Sequence, residues 1–219
     1  MRIHAFATTL AGFLLLAAAG CSTPPNHERR PAKVSAAGKV VFIPPRCADS
    51  FYFDTDGSVS IARAASLAIE QNASKLRAID FTVTRGPLRA MILEDAPTTE
   101  QWARIAAEAG ADYLVHAQID SLNWLDPMDT TLPRCTFTIT YSVVQAAGSR
   151  EIYRSTVSGV YPAGVIAERG VTVFDMGMEG LQRNSYQYMG TLLARTFYRH
   201  TISIFEARGL DQGPNMAAR

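Results

Sequence analysis

Apolar and polar residues are spaced in distinct ways along the chain, and each spacing predicts an element of the fold. A short apolar run that ends at Pro44-Pro45 is typical of a strand buried on both faces. Apolar positions three and four residues apart, from Val59 to Leu76, predict a helix. The pattern as a whole predicts strands at 39–44, 80–84 and 112–120 and helices at 58–77 and 99–109. This order favours three parallel strands joined by right-handed crossovers.

In the second half of the chain the pattern changes to strict alternation. Apolar residues from Cys135 to Val143 alternate with threonine and serine, which predicts a strand over 135–145 with one polar face. Residues 150–160 predict a strand that returns antiparallel to it, and 179–199 predict a long helix. The expected fold class is therefore α/β, with a single mixed sheet of about five strands. The first three strands are parallel, the last two form an antiparallel hairpin, and helices flank the sheet.

The first 20 residues have the pattern of a secretory signal peptide. Arg2 precedes an uncharged run from Ala5 to Gly20, which is shorter than the roughly 20 apolar residues of a membrane-spanning helix. The run ends in Ala18-Ala19-Gly20-Cys21, which resembles the lipobox of bacterial lipoproteins. The resemblance implies that Cys21 becomes the acylated N-terminus and anchors the protein in a membrane. The alternatives are an ordinary cleaved signal peptide followed by a chance cysteine, or a helix of the core.

The sequence divides into four segments. Residues 1–20 form the signal peptide, and 21–37 are expected to be the lipidated cysteine and a flexible tether, because they contain three prolines and no periodicity. Residues 38–207 are expected to be one periplasmic α/β domain, and 208–219 a C-terminal tail. Ser22 after the cysteine favours the outer membrane in the sorting rule of enteric bacteria, so the expected location is the outer membrane, facing the periplasm.

The charge balance argues against nucleic acid as a partner. The chain has 21 Lys and Arg and 20 Asp and Glu, and the first 20 residues hold one Arg and no acid. The mature chain therefore has 20 of each sign and no net charge. Binding to nucleic acid requires a basic surplus, because the partner is a polyanion.

No familiar arrangement of catalytic or metal-ligating residues occurs in the sequence. The histidines lack the spacing of zinc ligands, and neither a nucleophile elbow nor a phosphate-binding glycine loop is present. His116 and Asp120, four residues apart on a predicted strand, would lie about 13 Å from each other, which is too far for a catalytic dyad. We therefore expect no catalytic site, no metal and no cofactor. A cell-envelope enzyme without a recognisable motif is the less favoured alternative.

Two cysteines remain if Cys21 is lipidated. Cys47 follows the first predicted strand, and Cys135 begins the fourth. Both positions belong to the same edge of the predicted sheet, and the periplasm is oxidising, so a disulfide between them is one hypothesis. The alternative is two separate buried thiols, since a free cysteine packs as a small apolar residue.

The body resembles a group of bacterial envelope lipoproteins. The run from Ala106 to Ile119, with its Gly-Ala-Asp-Tyr step, and the hairpin from Tyr141 to Val157 are similar to segments of that group. It includes the curli secretion-channel lipoprotein and the lipoprotein activator of penicillin-binding proteins. The resemblance implies a non-enzymatic protein that acts by contact with an envelope protein, or with copies of itself, in assembly, secretion or cell-wall maintenance. A second resemblance is to auxiliary lipoproteins of lipid-transporting ABC systems.

Long loops should collect at the carboxyl edge of the sheet, where ligands bind in open α/β sheets. The loops at 45–57 and 121–134 are rich in large apolar residues, and Arg46 and Arg134 lie at this edge. Interfaces favour such residue types. One hypothesis is a contact surface for a partner; the alternative is a lid that folds back on the core. The residues proposed for the contact are Tyr52, Trp124, Met128 and Arg134.

Overall fold

The computed structural model describes residues 27–47, 55–91, 97–125, 134–162 and 177–211. The strands are β1 (His27–Arg30), β2 (Gly38–Phe42), β3 (Arg46–Cys47), β4 (Leu76–Ile79), β5 (Tyr113–Leu125), β6 (Arg134–Gln145), β7 (Arg150–Tyr161) and β8 (His200–Ser203). The helices are α1 (Thr55–Asn72), α2 (Arg85–Met91), α3 (Thr99–Glu108), α4 (Gly177–Ala194) and α5 (Ile204–Asp211), with a 3₁₀ turn at Phe81–Thr84. In the part of the chain covered by these elements, none of the helices has the length and apolar character needed to cross a membrane.

Six strands form one mixed sheet, in the order β4-β2-β5-β6-β7, with β3 also paired to β5. As predicted, β2 is parallel to both β4 and β5, and β6 and β7 form an antiparallel hairpin next to β5. The prediction of a single sheet with about five strands needs correction. Pro44-Pro45 interrupts the first strand, since proline cannot donate to a ladder, and β3 resumes the pairing with β5 beyond the break.

The Gly-Ala-Asp-Tyr step joins α3 to the sheet. Gly110 follows the helix with a φ of 67°, a left-handed conformation that glycine adopts without strain. The Asp112 carboxylate accepts a 2.8 Å hydrogen bond from the backbone N–H of Lys39 at the start of β2. At Gly38, whose φ is 117°, a Cβ would lie 2.2 Å from that carboxylate. The step therefore fixes the junction between β2 and β5.

Helices α1 and α4 cover one face of the sheet and pack against each other. On β6, the residues that face α4 include Phe137, whose ring contacts Tyr188, and Tyr141, whose hydroxyl is 2.8 Å from the Thr196 hydroxyl. The alternate residues of β6 point to the opposite face, which α3 covers in part. Fully buried residues lie in the strands, on α1 and α4, and on α3 across the sheet; they include Val40, Ile61, Ile105, Leu114 and Met189.

Residues 80–84, predicted as a strand, form a 3₁₀ turn, and the second parallel strand is β4, four residues earlier in the chain. The alternation in Phe81–Thr84 matches a strand, but the Asp80 carboxylate accepts the Thr82 N–H at 2.8 Å and begins the turn. The preceding helix ends at Asn72 rather than at 77. Its last turn is closed by the Asn72 side-chain amide, which donates to the Ala68 carbonyl at 2.9 Å.

Part of the segment predicted as a flexible tether belongs to the folded body. β1 pairs antiparallel with β8, with Arg29 opposite Thr201 and Arg30 opposite His200. The backbone N–H groups of Lys33 and Val34 both donate to the Thr196 carbonyl, and Val34 is buried. The helix predicted at 179–199 ends at Ala194. The chain after this helix is therefore available to form β8, which pairs with β1 in a separate two-stranded ribbon. Helix α5 likewise extends to Asp211, into the predicted tail.

Candidate binding cleft

The polar face of the sheet carries rows of side chains that run across the strands. Because directly paired residues share a face, Arg46 on β3, Gln118 on β5 and Thr140 on β6 form one row, which Thr156 on β7 extends. The next row holds His116, Ser142 and Arg154. The hydroxyls of Thr140 and Thr156 are 2.8 Å apart, so hydrogen bonds join neighbouring strands on this face.

A cleft of about 480 Å³ opens over these rows. One wall is the first turn of α3, where Thr98 caps the helix and Gln101 closes the capping box. The lining side chains carry both signs of charge and several hydroxyl and amide groups. They include Arg46, Thr98, Gln118, Asp120, Thr140, Glu151 and Arg154.

Asp120 lies where the β5–β6 register shifts, between Ile119 and Ser121. This irregularity leaves Asp120 unpaired in the ladder. Its carboxylate accepts the Thr140 hydroxyl at 2.6 Å and the Gln118 amide at 3.2 Å, which fixes it in the cleft wall. The register shift therefore places the Asp120 carboxylate in the cleft, beside the Thr140 hydroxyl and the Gln118 amide.

The two arginines of the cleft differ in burial. Nη2 of Arg46 is buried and has no hydrogen-bond partner. Arg154 is exposed. Within the described residues neither arginine forms an ion pair, because the two ion pairs found there join other residues. A buried cationic donor without an acceptor is costly, so the cleft favours a ligand that brings an acceptor.

His116 closes the inner end of the cleft. Its ring stacks on the indole of Trp102, with ring centroids 4.7 Å apart and 10° between the planes. Burial lowers the pKa of His116 to about 4; the nearby Glu151 raises it and the positive charges of Arg154 and Arg46 lower it further. His116 is therefore a neutral aromatic wall at neutral pH. The Asp120 carboxylate accepts hydrogen bonds from Thr140 and Gln118.

The structure separates the residues proposed for the partner contact. Trp124 packs against α4, with its ring 5.8 Å from that of Tyr186 in an edge-to-face arrangement. Arg134 is exposed and is paired with Leu125, the residue after Trp124, so it lies on the face of the sheet opposite Trp124. Trp124 belongs to strand β5 and not to the predicted loop at 121–134, so its contact with Tyr186 is packing of a strand residue against α4. Tyr52 and Met128, like Cys21, lie outside the described residues.

Cys47 and Cys135 are free thiols, so the disulfide is not formed in this structure. The register explains this result. Cys47 pairs with Ile119 and Cys135 with Trp124, five residues further along β5, which corresponds to about 16 Å along the strand. A disulfide requires Cα atoms within about 7 Å. Burial raises the pKa of both thiols, that of Cys135 to about 12.

Among the residues that the structure describes, no group of three His, Cys, Asp or Glu side chains is placed to hold a metal ion. The cleft was not singled out by the sequence, although the threonine and serine positions of β6 predicted a polar sheet face. The sequence placed Arg46 in a loop at the carboxyl edge together with Arg134, whereas the structure places it on β3, paired with Gln118 in the middle of β5. The sequence did not predict strand β3, which adds Arg46 to the row of Gln118 and Thr140. A strand of two residues after two prolines has no periodicity that could reveal it.

Comparisons with known proteins give only distant matches. No family model matches the chain, and no curated protein does. Hypothetical protein CT253 from Chlamydia trachomatis is 15% identical, with 74% of this chain and 98% of that chain covered and a TM-score of 0.46. Lipoprotein GNA1162 from Neisseria meningitidis is 10% identical, with 57% of this chain and 83% of that chain covered and a TM-score of 0.42. The LpoB C-terminal domain from Escherichia coli is 13% identical, with 56% of this chain and 82% of that chain covered and a TM-score of 0.39. The structural neighbours thus include envelope lipoproteins, but such low scores establish neither a family nor a function.

Proposed function

We propose that this chain is a lipid-anchored protein of the bacterial envelope that acts by binding another protein in its polar cleft. The anchor is proposed at Cys21, on the lipobox-like sequence before it, and the expected location is the periplasmic side of the outer membrane. The observation that carries the proposed binding role is the Arg46 guanidinium, which lines the cleft with one nitrogen buried and without an acceptor.

The chemistry of the cleft fits a protein surface better than a small apolar ligand. Pockets for small molecules are lined mainly by apolar and aromatic side chains. Here hydroxyl, amide and charged groups on the strands line the cleft beside Ile43, Pro44 and the stacked Trp102–His116 pair, so polar partners are available over much of its surface. A carboxylate or carbonyl group of a partner would supply the acceptor that Arg46 lacks, and arginine is enriched among residues that dominate binding energy at interfaces.

We expect the double variant Arg46→Gln/Arg154→Gln to capture its partner at least about tenfold less than the parent. Hydrogen bonds to charged groups contribute about 1.5–3 kcal/mol each, and one such loss already corresponds to this factor. The measurement is affinity capture by the full-length protein from detergent-solubilised envelopes, with the captured proteins identified by mass spectrometry. The intact mass of the mature protein shows separately whether Cys21 carries lipid.

The matched control is Arg63→Gln/Arg183→Gln, which removes two exposed arginines from the opposite, α1–α4 side of the molecule. It should capture as much partner as the parent. Equal capture by the cleft variant and the parent, with unchanged melting temperatures, would show that the cleft is not the contact surface. Capture of a second copy of this chain would show that the protein forms a homo-oligomer through the cleft.

A further inference from the structure

The charge of the mature chain is concentrated at one end of the body. Residues 27–34 and 195–211, which contain β1, β8 and α5, hold six basic and three acidic residues, a net charge of +3. Because residues 21–219 are neutral overall, the remainder of the mature chain carries −3. We call 27–34 and 195–211 the basic end.

The free cations of the basic end lie on its surface. Of its acidic residues, Glu28 pairs with Arg30 and Glu206 pairs with Arg195. Arg29, Lys33, Arg199 and Arg208 are exposed and form no ion pair with any described residue. These four side chains therefore place positive charge at the surface of the basic end.

The ribbon of β1 and β8 has an inner and an outer side. Ile202, opposite Glu28, is buried, so the side it occupies turns toward the body. Arg29 and its partner Thr201 occupy the other side and are exposed, as is Arg199 just before β8. The outer side of the ribbon is thus free to meet a flat surface without disturbing the core.

The same ribbon is the part of the body nearest to the proposed anchor. Five residues, 22–26, lie between Cys21 and His27, so the Cα atoms of these two residues are at most about 20 Å apart. β1 begins 11 residues before the predicted start of the body at 38, whereas a tether of residues 22–37 could extend to roughly 50 Å. A protein held this closely keeps the basic end within reach of the lipid headgroups.

We propose that the basic end docks on the anionic headgroups of the membrane in which Cys21 is anchored, and so fixes the orientation of the body. This inference rests on the proposed lipid anchor. Each Lys or Arg near an anionic surface strengthens association about fivefold, and the attraction decays within the screening length of the salt. Arg29, Lys33, Arg199 and Arg208 supply the contact, and the anchor supplies a high local concentration.

The test is hydrogen–deuterium exchange of the mature protein in vesicles of phosphatidylcholine alone or mixed with phosphatidylglycerol. The amides of 27–34 and 198–203 should exchange more slowly on the mixed vesicles, and this difference should disappear in high salt. Arg29→Gln/Arg199→Gln should abolish the difference as well. The control Arg63→Gln/Arg183→Gln, with the same loss of charge on exposed residues elsewhere, should retain it.

Equal exchange on both types of vesicle would overturn the proposal, as would an equal effect of the two double variants. The intact mass of the protein distinguishes this failure from a failure of the proposed function. If Cys21 carries no lipid, the anchor is refuted, and co-sedimentation of the protein with the same vesicles then tests the basic end alone. Binding to the mixed vesicles only would support a lipid-binding surface; no binding would refute it.

Discussion

Gly190→Ala is expected to lower the free energy of unfolding by about 3 kcal/mol, because Gly190 lies where α1 and α4 are in closest contact. A Cβ at this position would lie 2.3 Å from the Ile61 carbonyl oxygen, 2.7 Å from the Ala64 Cβ and 2.9 Å from the Ala65 nitrogen. Two of these atoms are backbone, so relief requires the helices to move apart. Alanine in a helix interior otherwise stabilises by roughly 0.5–1 kcal/mol relative to glycine, which is too little to compensate.

Denaturant unfolding followed by circular dichroism measures this change. Gln187→Ala is the control, since Gln187 is exposed on α4, the same helix as Gly190. It should be as stable as the parent, because alanine is at least as good a helix former as glutamine. If Gly190→Ala unfolds at the same denaturant concentration as Gln187→Ala, the described packing of α1 against α4 is incorrect.

Acidification is expected to destabilise the fold through His116. Burial holds the pKa of His116 at about 4 in the folded protein, against 6.5 in the unfolded chain. The unfolded state therefore binds the proton first, and stability is complete above about pH 6.5 and decreases as the pH falls toward 4. At 1.36 kcal/mol for each unit of pKa difference, the loss attributable to this residue is about 3 kcal/mol.

His116→Phe should remove this component of the pH dependence, because phenylalanine preserves an aromatic ring against Trp102 but does not titrate. The measured quantity is the difference in free energy of unfolding between pH 7 and pH 4, for the parent and the variant. His27→Phe, at an exposed position, should behave like the parent. A loss between pH 7 and pH 4 that is the same in all three proteins would mean that His116 is not buried as described.

The elements with strong periodicity could be predicted from the sequence. The patterns over 135–145 and 150–160 predicted the β6–β7 hairpin, and the helix predicted at 99–109 is α3, Thr99–Glu108. Parallel pairing of β2 with β4 and β5 followed from the order of elements. In these cases the local pattern and the tertiary contacts favour the same structure.

The elements that local patterns missed depend on contacts distant in sequence. β1 contains three charged residues in four and is a strand only because β8 pairs with it. β4 contains Arg77 and is stabilised by β2 and by Glu70, whose carboxylate accepts the Ala78 N–H at 2.6 Å. The β1–β8 and β4–β2 pairings cannot be predicted from the local sequence of β1 or β4.

The candidate site shows the same limit. The polar face of β6 was evident from its threonines, but the cleft also needs Arg46 from β3 and Arg154 from β7, which are 108 residues apart in the numbering and meet only through strand pairing. In contrast, Trp124 was conspicuous in the sequence because of its type. Its packing on Tyr186 shows that a large aromatic residue near a loop can serve the core.

The central claim, that the cleft binds a protein partner in the envelope, is tested most directly by photo-cross-linking in cells. A photoreactive amino acid at Gln118, exposed in the cleft, should give one discrete cross-linked species. The same group at Leu67, which is 59% exposed on α1, should give none. The species should also disappear in the Arg46→Gln/Arg154→Gln background. No cross-link from Gln118, or the same species from Leu67, would contradict the account.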